Sequence, residues 1–254
     1  MKVTILGSGT SQGVPVIACD CEVCQSIDPR DNRTRCSILI EKEKTNIVVD
    51  TGPDFRAQML RQRVTDLDAV LFTHEHKDHV AGLDDIRAFN FKKNGKAMEV
   101  YATDQVQVAL KREFPYVFAE NKYPGVPEIN LNSFDKESFN VSGVEVVPID
   151  ALHYKLAVKG FRIDDFAYLT DANYISEEEK EKLKGLDVLV LNALRKKKHI
   201  SHFNLEEAQM LIDELAPKKA YLTHISHLMG LHREVENELA PNTYIAYDGL
   251  QLNL

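Results

Sequence analysis

Between positions 74 and 79 the chain reads His74-Glu75-His76-Lys77-Asp78-His79, which places four groups able to bind a metal within six residues. Neutral imidazole and carboxylate suit zinc, manganese or iron, and a carboxylate can bridge two ions. On an extended chain, positions two apart project to the same side, so His74 and His76 can share one ion. On a helix they would diverge by about 200°, so the motif reads as a loop, from which Asp78 and His79 reach a second ion. The alternative is a solvated polar turn with chance histidines, and the other histidines argue against it. His153 follows the strand-like run Val144 to Ile149, and His224 directly follows Ala220 to Thr223. Asp171 in the same way follows Ala167 to Thr170. Ligands supplied at the ends of three distant strands describe an active site assembled along one edge of a sheet.

A second cluster lies near the N-terminus. Cys19-x-Cys21-x-x-Cys24 offers three thiolates, and a closed tetrahedral zinc site needs a fourth ligand. His227 is the candidate: if His224 faces the first centre, the short step Ile225-Ser226 aims His227 at the N-terminal loop. A Cys3His site of this kind is structural, because it leaves no position for substrate or water. A disulfide and ordinary buried thiols are the competing readings. Cys36, the fourth cysteine, reads as a buried apolar thiol.

The elements that must position these groups are legible as short β-branched apolar runs. Val3 to Leu6, Ser37 to Ile40, Ile47 to Val49, Ala69 to Phe72, Glu99 to Ala102, Val144 to Val147, Ala167 to Leu169, Val188 to Leu191 and Ala220 to Leu222 are expected strands, several buried on both faces. Helices are expected where Ser176 precedes Glu179 and Asn204 precedes Glu207, each pair suited to a capping box. Strands both precede helices and follow one another directly, so mixed sheets with outer helices are expected. Tyr116 to Phe139, rich in Pro, Asn and Gly, reads as a long surface loop.

With 254 residues, 44% of them hydrophobic, the chain can bury a substantial core, and one catalytic domain spanning 1–254 is the simplest organisation. A net charge of -8 argues against a dedicated nucleic-acid binder. No apolar run approaches the roughly 20 residues that span a bilayer, and Met1 to Leu6 lacks the features of a leader. A cytoplasmic protein with no membrane partner is the expectation, and thiols held in a tight cluster suit a reducing compartment.

Taken together, His74-x-His76-x-Asp78-His79 with His153, Asp171 and His224 resembles the metallo-β-lactamase superfamily. The resemblance implies an α+β, four-layer αββα sandwich, with His74, His76 and His153 on one ion, Asp78, His79 and His224 on the other, and Asp171 bridging. It also implies a role for Asp50, which ends the run Val48-Val49-Asp50-Thr51-Gly52: accepting a hydrogen bond from a ligand histidine and so fixing its tautomer. Gly7-Ser8-Gly9-Thr10-Ser11-Gln12-Gly13-Val14-Pro15, the cysteines, and Leu222-Thr223-His224-Ile225-Ser226-His227 further resemble phosphodiesterases of the PhnP type that act on phosphoribosyl 1,2-cyclic phosphate. That likeness implies the Cys3His zinc, a homodimer, and His202 as the general acid that protonates a leaving oxygen. The glycine run by itself reads as a tight turn or a phosphate contact. Two zinc or manganese ions about 3.5–4 Å apart can supply hydroxide near neutral pH and clamp phosphoryl oxygens. The expected activity is hydrolysis of a small anionic phosphodiester, a cyclic sugar phosphate, with Asp78 and Asp171 in the catalytic centre. An RNase Z-like tRNA 3'-processing nuclease and a non-catalytic cofactor-biosynthesis protein are the alternatives.

Overall fold

The apolar runs assemble into two seven-stranded sheets stacked face to face, as described by a computed structural model covering residues 1–254. The strands in chain order are β1 (Lys2–Gly7), β2 (Ser37–Lys42), β3 (Thr45–Val49), β4 (Ala69–Leu71), β5 (Met98–Ala102), β6 (Ile129–Ser133), β7 (Phe139–Val141), β8 (Val144–His153), β9 (Leu156–Ile163), β10 (Phe166–Leu169), β11 (Val188–Asn192), β12 (Lys219–Thr223), β13 (Thr243–Ile245) and β14 (Gln251–Asn253). One sheet runs β14-β1-β2-β3-β4-β5-β6 and the other β13-β12-β11-β10-β9-β8-β7. Within them β3 to β6 are parallel, as are β10 to β13. Ligands in open α/β sheets collect outside the carboxyl ends of parallel strands, and the two parallel sets present theirs to one shared edge.

The α-helices are α1 (Phe55–Gln62), α2 (Lys77–Val80), α3 (Arg87–Lys92), α4 (Asp104–Glu113), α5 (Glu177–Glu181), α6 (Leu205–Leu215) and α7 (His232–Glu236). In β11, Val188 and Val190 face the core between the sheets, while Leu189 and Leu191 pack with α6 residues Leu211 and Leu215. Both faces of this strand are therefore covered, which is why it reads as an unbroken apolar run. The opposite sheet is covered by Phe55 and Met59 of α1 and Val106 and Leu110 of α4. Layer order is thus helix, sheet, sheet, helix, the αββα sandwich expected.

Several local expectations are corrected. Tyr116 to Phe139 is not all loop: β6 lies within it as an edge strand, and Phe139 opens β7. Asn130 and Asn132 gave β6 a turn-like composition, yet both amides bond to the Glu99 carboxylate on β5. β9 escaped notice because Lys159 and Gly160 interrupt it. Lys159 is buried against Asp150, and a Cβ on Gly160 would sit 2.7 Å from Leu169 Cγ. Asn204 and Glu207 form a complete capping box at α6. At α5, Ser176 caps Glu179 N–H, but the Glu179 carboxylate accepts from Asp150 N–H instead of returning to the cap. His74 and His76 lie in the extended loop, whereas Asp78 and His79 fall in the short helix α2.

A buried polar knot ties the segment after β1 to the chain after β12. Arg33 is 4% exposed; its guanidinium donates to Ser8 Oγ, the Ala246 carbonyl and His232 Nδ1. The His232 N–H donates to Asp31 Oδ1 at 2.7 Å. Burial lowers Arg33 to about 10 and, with the neighbouring Arg33 charge, holds His232 below its ordinary 6.5. His232 is therefore neutral with Nδ1 as acceptor, a structural role.

Because the folded value of His232 is depressed, the stability it contributes is complete above pH 6.5 and is lost as pH falls through the folded value. His232→Asn keeps an acceptor that cannot be protonated. The expected result is that the urea midpoint of the parent falls more steeply than that of the variant between pH 7.5 and 5; parallel slopes would show that His232 does not titrate against Arg33.

Candidate metal centre

Most of the groups that build the centre sit where a strand stops. Asp50 follows β3, His74 and His76 follow β4, His153 ends β8, Asp171 follows β10 and His224 follows β12. Asp50, Asp171 and His224 have φ of 63°, 55° and 58°, left-handed backbone that costs a non-glycine residue roughly 1–2 kcal/mol. Neighbouring bonds hold these turns. Asn192, at the end of β11, clamps Ala172 from both sides: its Oδ1 accepts from the Ala172 N–H at 2.8 Å and its Nδ2 donates to the Ala172 carbonyl at 2.9 Å. At Gly52, a Cβ would lie 2.1 Å from the Asp78 carbonyl, so the turn after Asp50 packs directly on the metal loop.

The side chains converge around Asp171, which is 2% exposed. Its Oδ2 lies 3.1 Å from His79 Nε2 and 3.0 Å from His224 Nδ1, and its Oδ1 lies 3.1 Å from His202 Nε2. Ligand atoms group as His74, His79 and Asp171; as His153, Asp171 and His202; and as Asp78, Asp171 and His224. Asp171 is common to all three, the position a bridging carboxylate needs. His76 stands with its ring 4.6 Å from that of His74 and 5.1 Å from that of His153.

Hydrogen bonds set which ring nitrogens remain free. Thr73 Oγ1 donates to Asp50 Oδ2 at 2.8 Å and so accepts from His74 Nδ1 at 2.9 Å. Asp50 Oδ2 also accepts from His79 Nδ1 at 2.7 Å, and the Ser201 carbonyl accepts from His153 Nδ1 at 2.8 Å. In all three rings Nε2 is the nitrogen left for a metal. His74 Nε2 and His79 Nε2 are buried with no hydrogen-bond partner, which would be costly unless a cation occupied the space between them. The donor set therefore fits divalent metal.

Electrostatics agree. Burial pushes the His74 pKa well below 6.5. Burial opposes charge on His79 and His224 too, but Asp171 outweighs it, holding His79 well above 6.5 and His224 at about 10. Desolvation would raise Asp171 and Asp78, yet His224 and His79 acting on the first, and His79 on the second, draw both below the carboxylate range. His202 is pulled down to about 4 by burial, against the hydrogen bond it donates to Asp171.

The cysteine cluster forms separately. Sγ of Cys19, Cys21 and Cys24 lie 3.3, 3.3 and 3.5 Å from His227 Nδ1. A tetrahedral zinc with ordinary Zn–S and Zn–N lengths separates such atoms by about 3.5 Å. A hydrogen bond from the Cys24 backbone lowers Cys21 to about 6, while burial lifts Cys24 to about 11.

Other groups around the centre were not legible in the sequence. Thr10, within the glycine run, is buried, and its Oγ1 lies 3.1 Å from His224 Nε2, leaving Nδ1 for the centre. Gly9 explains the glycines: it bridges Arg35 on one side and Ile225 on the other, and a Cβ there would meet the Arg33 carbonyl at 2.8 Å. The run thus serves close backbone packing beside His224. Cys36 is buried as expected, 3.5 Å from Thr223 Oγ1. His199 Nδ1 lies 3.1 Å from His202 Nδ1. In the basic run Arg195 to Lys198, Lys196 pairs with Glu238 and the Arg195 guanidinium folds back onto the Lys197 and Lys198 carbonyls.

Fold and donor set define a metal-dependent hydrolase of metallo-β-lactamase type. Residues 45–225 match the family model described as a β-lactamase superfamily domain. A crystal structure described as a new diphosphatase from the PhnP family superposes with a TM-score of 0.93 at 37% identity, covering 100% of this chain and 97% of that one. The chain belongs to the metallo-β-lactamase superfamily and, within it, to the PhnP family. An octanoyltransferase of Porphyromonas gingivalis is 41% identical over 254 residues, 99% of this chain but 51% of that protein; the chain spans about half the length of this relative. Zinc-bound PqqB from Methylobacterium extorquens shares the fold, with a TM-score of 0.82 at 20% identity over the whole of both chains. No helix is long and apolar enough to cross a membrane.

Thr10→Val removes the hydroxyl beside His224 without changing side-chain size. Loss of such an outer hydrogen bond typically weakens metal affinity about 10–100-fold, so chelator competition should show weaker uptake by one ion, with recovery in Thr10→Ser. Equal affinity in Thr10→Val would remove any orienting role. Cys21→Ser is expected to lose one equivalent of zinc in metal analysis and to lower Tm while the His and Asp centre still loads; unchanged zinc content would return the cysteines to ordinary thiols.

Proposed function

We propose that the protein hydrolyses a P–O bond in a small anionic phosphodiester, a cyclic sugar phosphate being the leading substrate. His74, His76 and His153 would hold one divalent ion and Asp78, His79 and His224 the other, with Asp171 between them. When bound, such a pair activates water near neutral pH and offsets charge on phosphoryl oxygens. The observation that carries the reading is His202. It is a histidine beyond the seven ligands, with Nε2 3.1 Å from Asp171 Oδ1 and its ring 4.5 Å from that of His153.

His202 donates the proton a leaving ribose oxygen requires. Its Nδ1 side is fixed by Ser201 Oγ at 3.0 Å and by His199, so the ring presents Nε2 to the centre. Burial disfavours its cationic form in the free protein. An anionic phosphodiester placed beside it acts the other way, since a nearby negative charge favours imidazolium. Asp50 and Thr73 keep His74 and His79 in the required tautomers throughout. The diphosphatase neighbour is consistent with this chemistry in one respect: an anhydride in a diphosphate and an ester in a phosphodiester are both opened by attack of water on phosphorus. Zinc or manganese would serve in the centre.

The test follows ribose 1,2-cyclic phosphate by phosphorus NMR, and a tRNA precursor by gel, with metal-loaded protein. Ring opening is expected, and His202→Ala should lower kcat by about 10²–10⁴ with metal content unchanged. Cleavage of the tRNA precursor alone would reassign the protein to the nuclease class, and turnover of neither would sink the phosphodiesterase reading.

A further inference from the structure

On the helix-covered face of the sheet that holds β1 to β6, α1 and the segment ending in α3 leave between them a cavity of about 500 Å³, a size in the range of small-molecule sites. None of the metal ligands lines it. Its floor is apolar: Phe55, Met59 and Phe89 are buried there, while Leu60, 61% exposed, stands at the edge. The charged groups in the lining are three cations, Arg56, Arg63 and Lys92, and one carboxylate, Asp85. This local excess of positive charge sits on a chain whose net charge is -8.

The charges are sorted along the groove. A Cβ on Gly82, ahead of α3, would lie 2.9 Å from Phe55 Cβ at the start of α1. Further along, the rings of Phe55 and Phe89 stand 6.5 Å apart, and Lys92 at the end of α3 donates to the Thr65 carbonyl beyond the end of α1. The two segments therefore run side by side in the same direction. Asp85 lies toward Arg56 and offsets it, whereas Arg63 and Lys92 come together at the other end, about 10 Å away along the helix. Asp66 and Asp68, the acids that follow Arg63 in the chain, are both engaged by Lys93 at 2.8 Å, which leaves Arg63 without an ion-pair partner. Lys92 uses one of its three ammonium donors on Thr65, and two remain. The helix ends do not oppose an anion here, because their last carbonyls are already bonded. Leu60 and Met59 accept from the Arg63 and Val64 N–H groups at 3.2 and 3.0 Å, and Phe89 and Asn90 accept from the Lys93 N–H at 3.0 and 3.1 Å.

We propose that this groove binds a small amphipathic anion, a straight alkyl chain bearing one carboxylate, with the headgroup between Arg63 and Lys92 and the chain laid over Met59, Leu60 and Phe89. An apolar floor with uncommitted cations at one end is complementary to that pattern, and to neither an uncharged alkyl chain nor a compact hydrophilic anion. A second copy of this chain is a poor occupant, since a two-fold contact sets the same patch against itself and would oppose like charges. The site shares no residue with the metal centre, so its test does not depend on the hydrolytic activity.

The experiment titrates zinc-loaded, ¹⁵N-labelled protein with sodium decanoate. Saturable shifts are expected at the amides of Leu60, Val64, Phe89 and Lys92. Butyrate, six methylenes shorter, should bind at least about tenfold more weakly, and so should uncharged decan-1-ol, which forgoes hydrogen bonds to a charged group. Arg63→Gln combined with Lys92→Gln, both at exposed positions, should raise the decanoate Kd about tenfold and leave that of decan-1-ol unchanged. Decan-1-ol binding as tightly as decanoate would overturn the proposal, because the cations would then recognise nothing. Shifts confined to the His76 and Asp78 amides would overturn it by placing the carboxylate only at the metals. Absence of groove shifts, with sedimentation on phosphatidylglycerol vesicles that the double variant abolishes, would overturn it in favour of a membrane surface.

Discussion

The burial of the Asp171 carboxylate at the junction of the two sheets is the constraint on which the centre is organised. An ionised carboxylate removed from water is stable only when matched by positive charge and hydrogen bonds. His79, His202 and His224 crowd its two oxygens, and the unpartnered Nε2 of His74 lies in the same space. Imidazole protons satisfy this arrangement only in part, because protonated rings at such short range repel one another. Divalent metal satisfies it better, since one bridging carboxylate and several neutral nitrogens suit a pair of cations.

The surrounding fold can be read as the means of delivering these groups to one place. Parallel strands release their ligands at carboxyl ends, and three of the turns are driven into left-handed backbone. Strain of that kind persists where the neighbourhood over-determines it. Asn192 does so after Asp171, Gly52 after Asp50, and the Gly9 and Thr10 segment beside His224. These residues touch no reacting atom, yet each fixes the direction of one that does.

How much of this was legible in the sequence depended on the range of the signal. The His74 to His79 motif is local, and the apolar runs that end at Asp50, Asp171 and His224 marked strand ends, so the groups that converge could be picked out, while the four-layer sandwich followed from the resemblance to the metallo-β-lactamase superfamily. Asn204 and Glu207 announced α6 for the same reason. Thr10 and Asn192 could not be read, because their partners lie 214 and 20 residues away and neither belongs to a recognisable pattern. β6 and β9 were missed because tertiary partners override their composition: Glu99 gathers the asparagines of β6, and Asp150 neutralises the lysine within β9. The glycine run was ambiguous between a turn and a phosphate contact until the backbone packed against it was visible.

The division of ligands between the sheets has a mechanical meaning. His74, His76, Asp78 and His79 hang from one sheet, while His153, Asp171 and His224 hang from the other. The gap between the two halves of the centre is therefore gauged by the apolar layer that spaces the sheets, about 10 Å in face-to-face packing. Side chains such as Phe161, Tyr168 and Val190, which fill that layer, act as shims: their bulk sets how far apart the two donor halves stand.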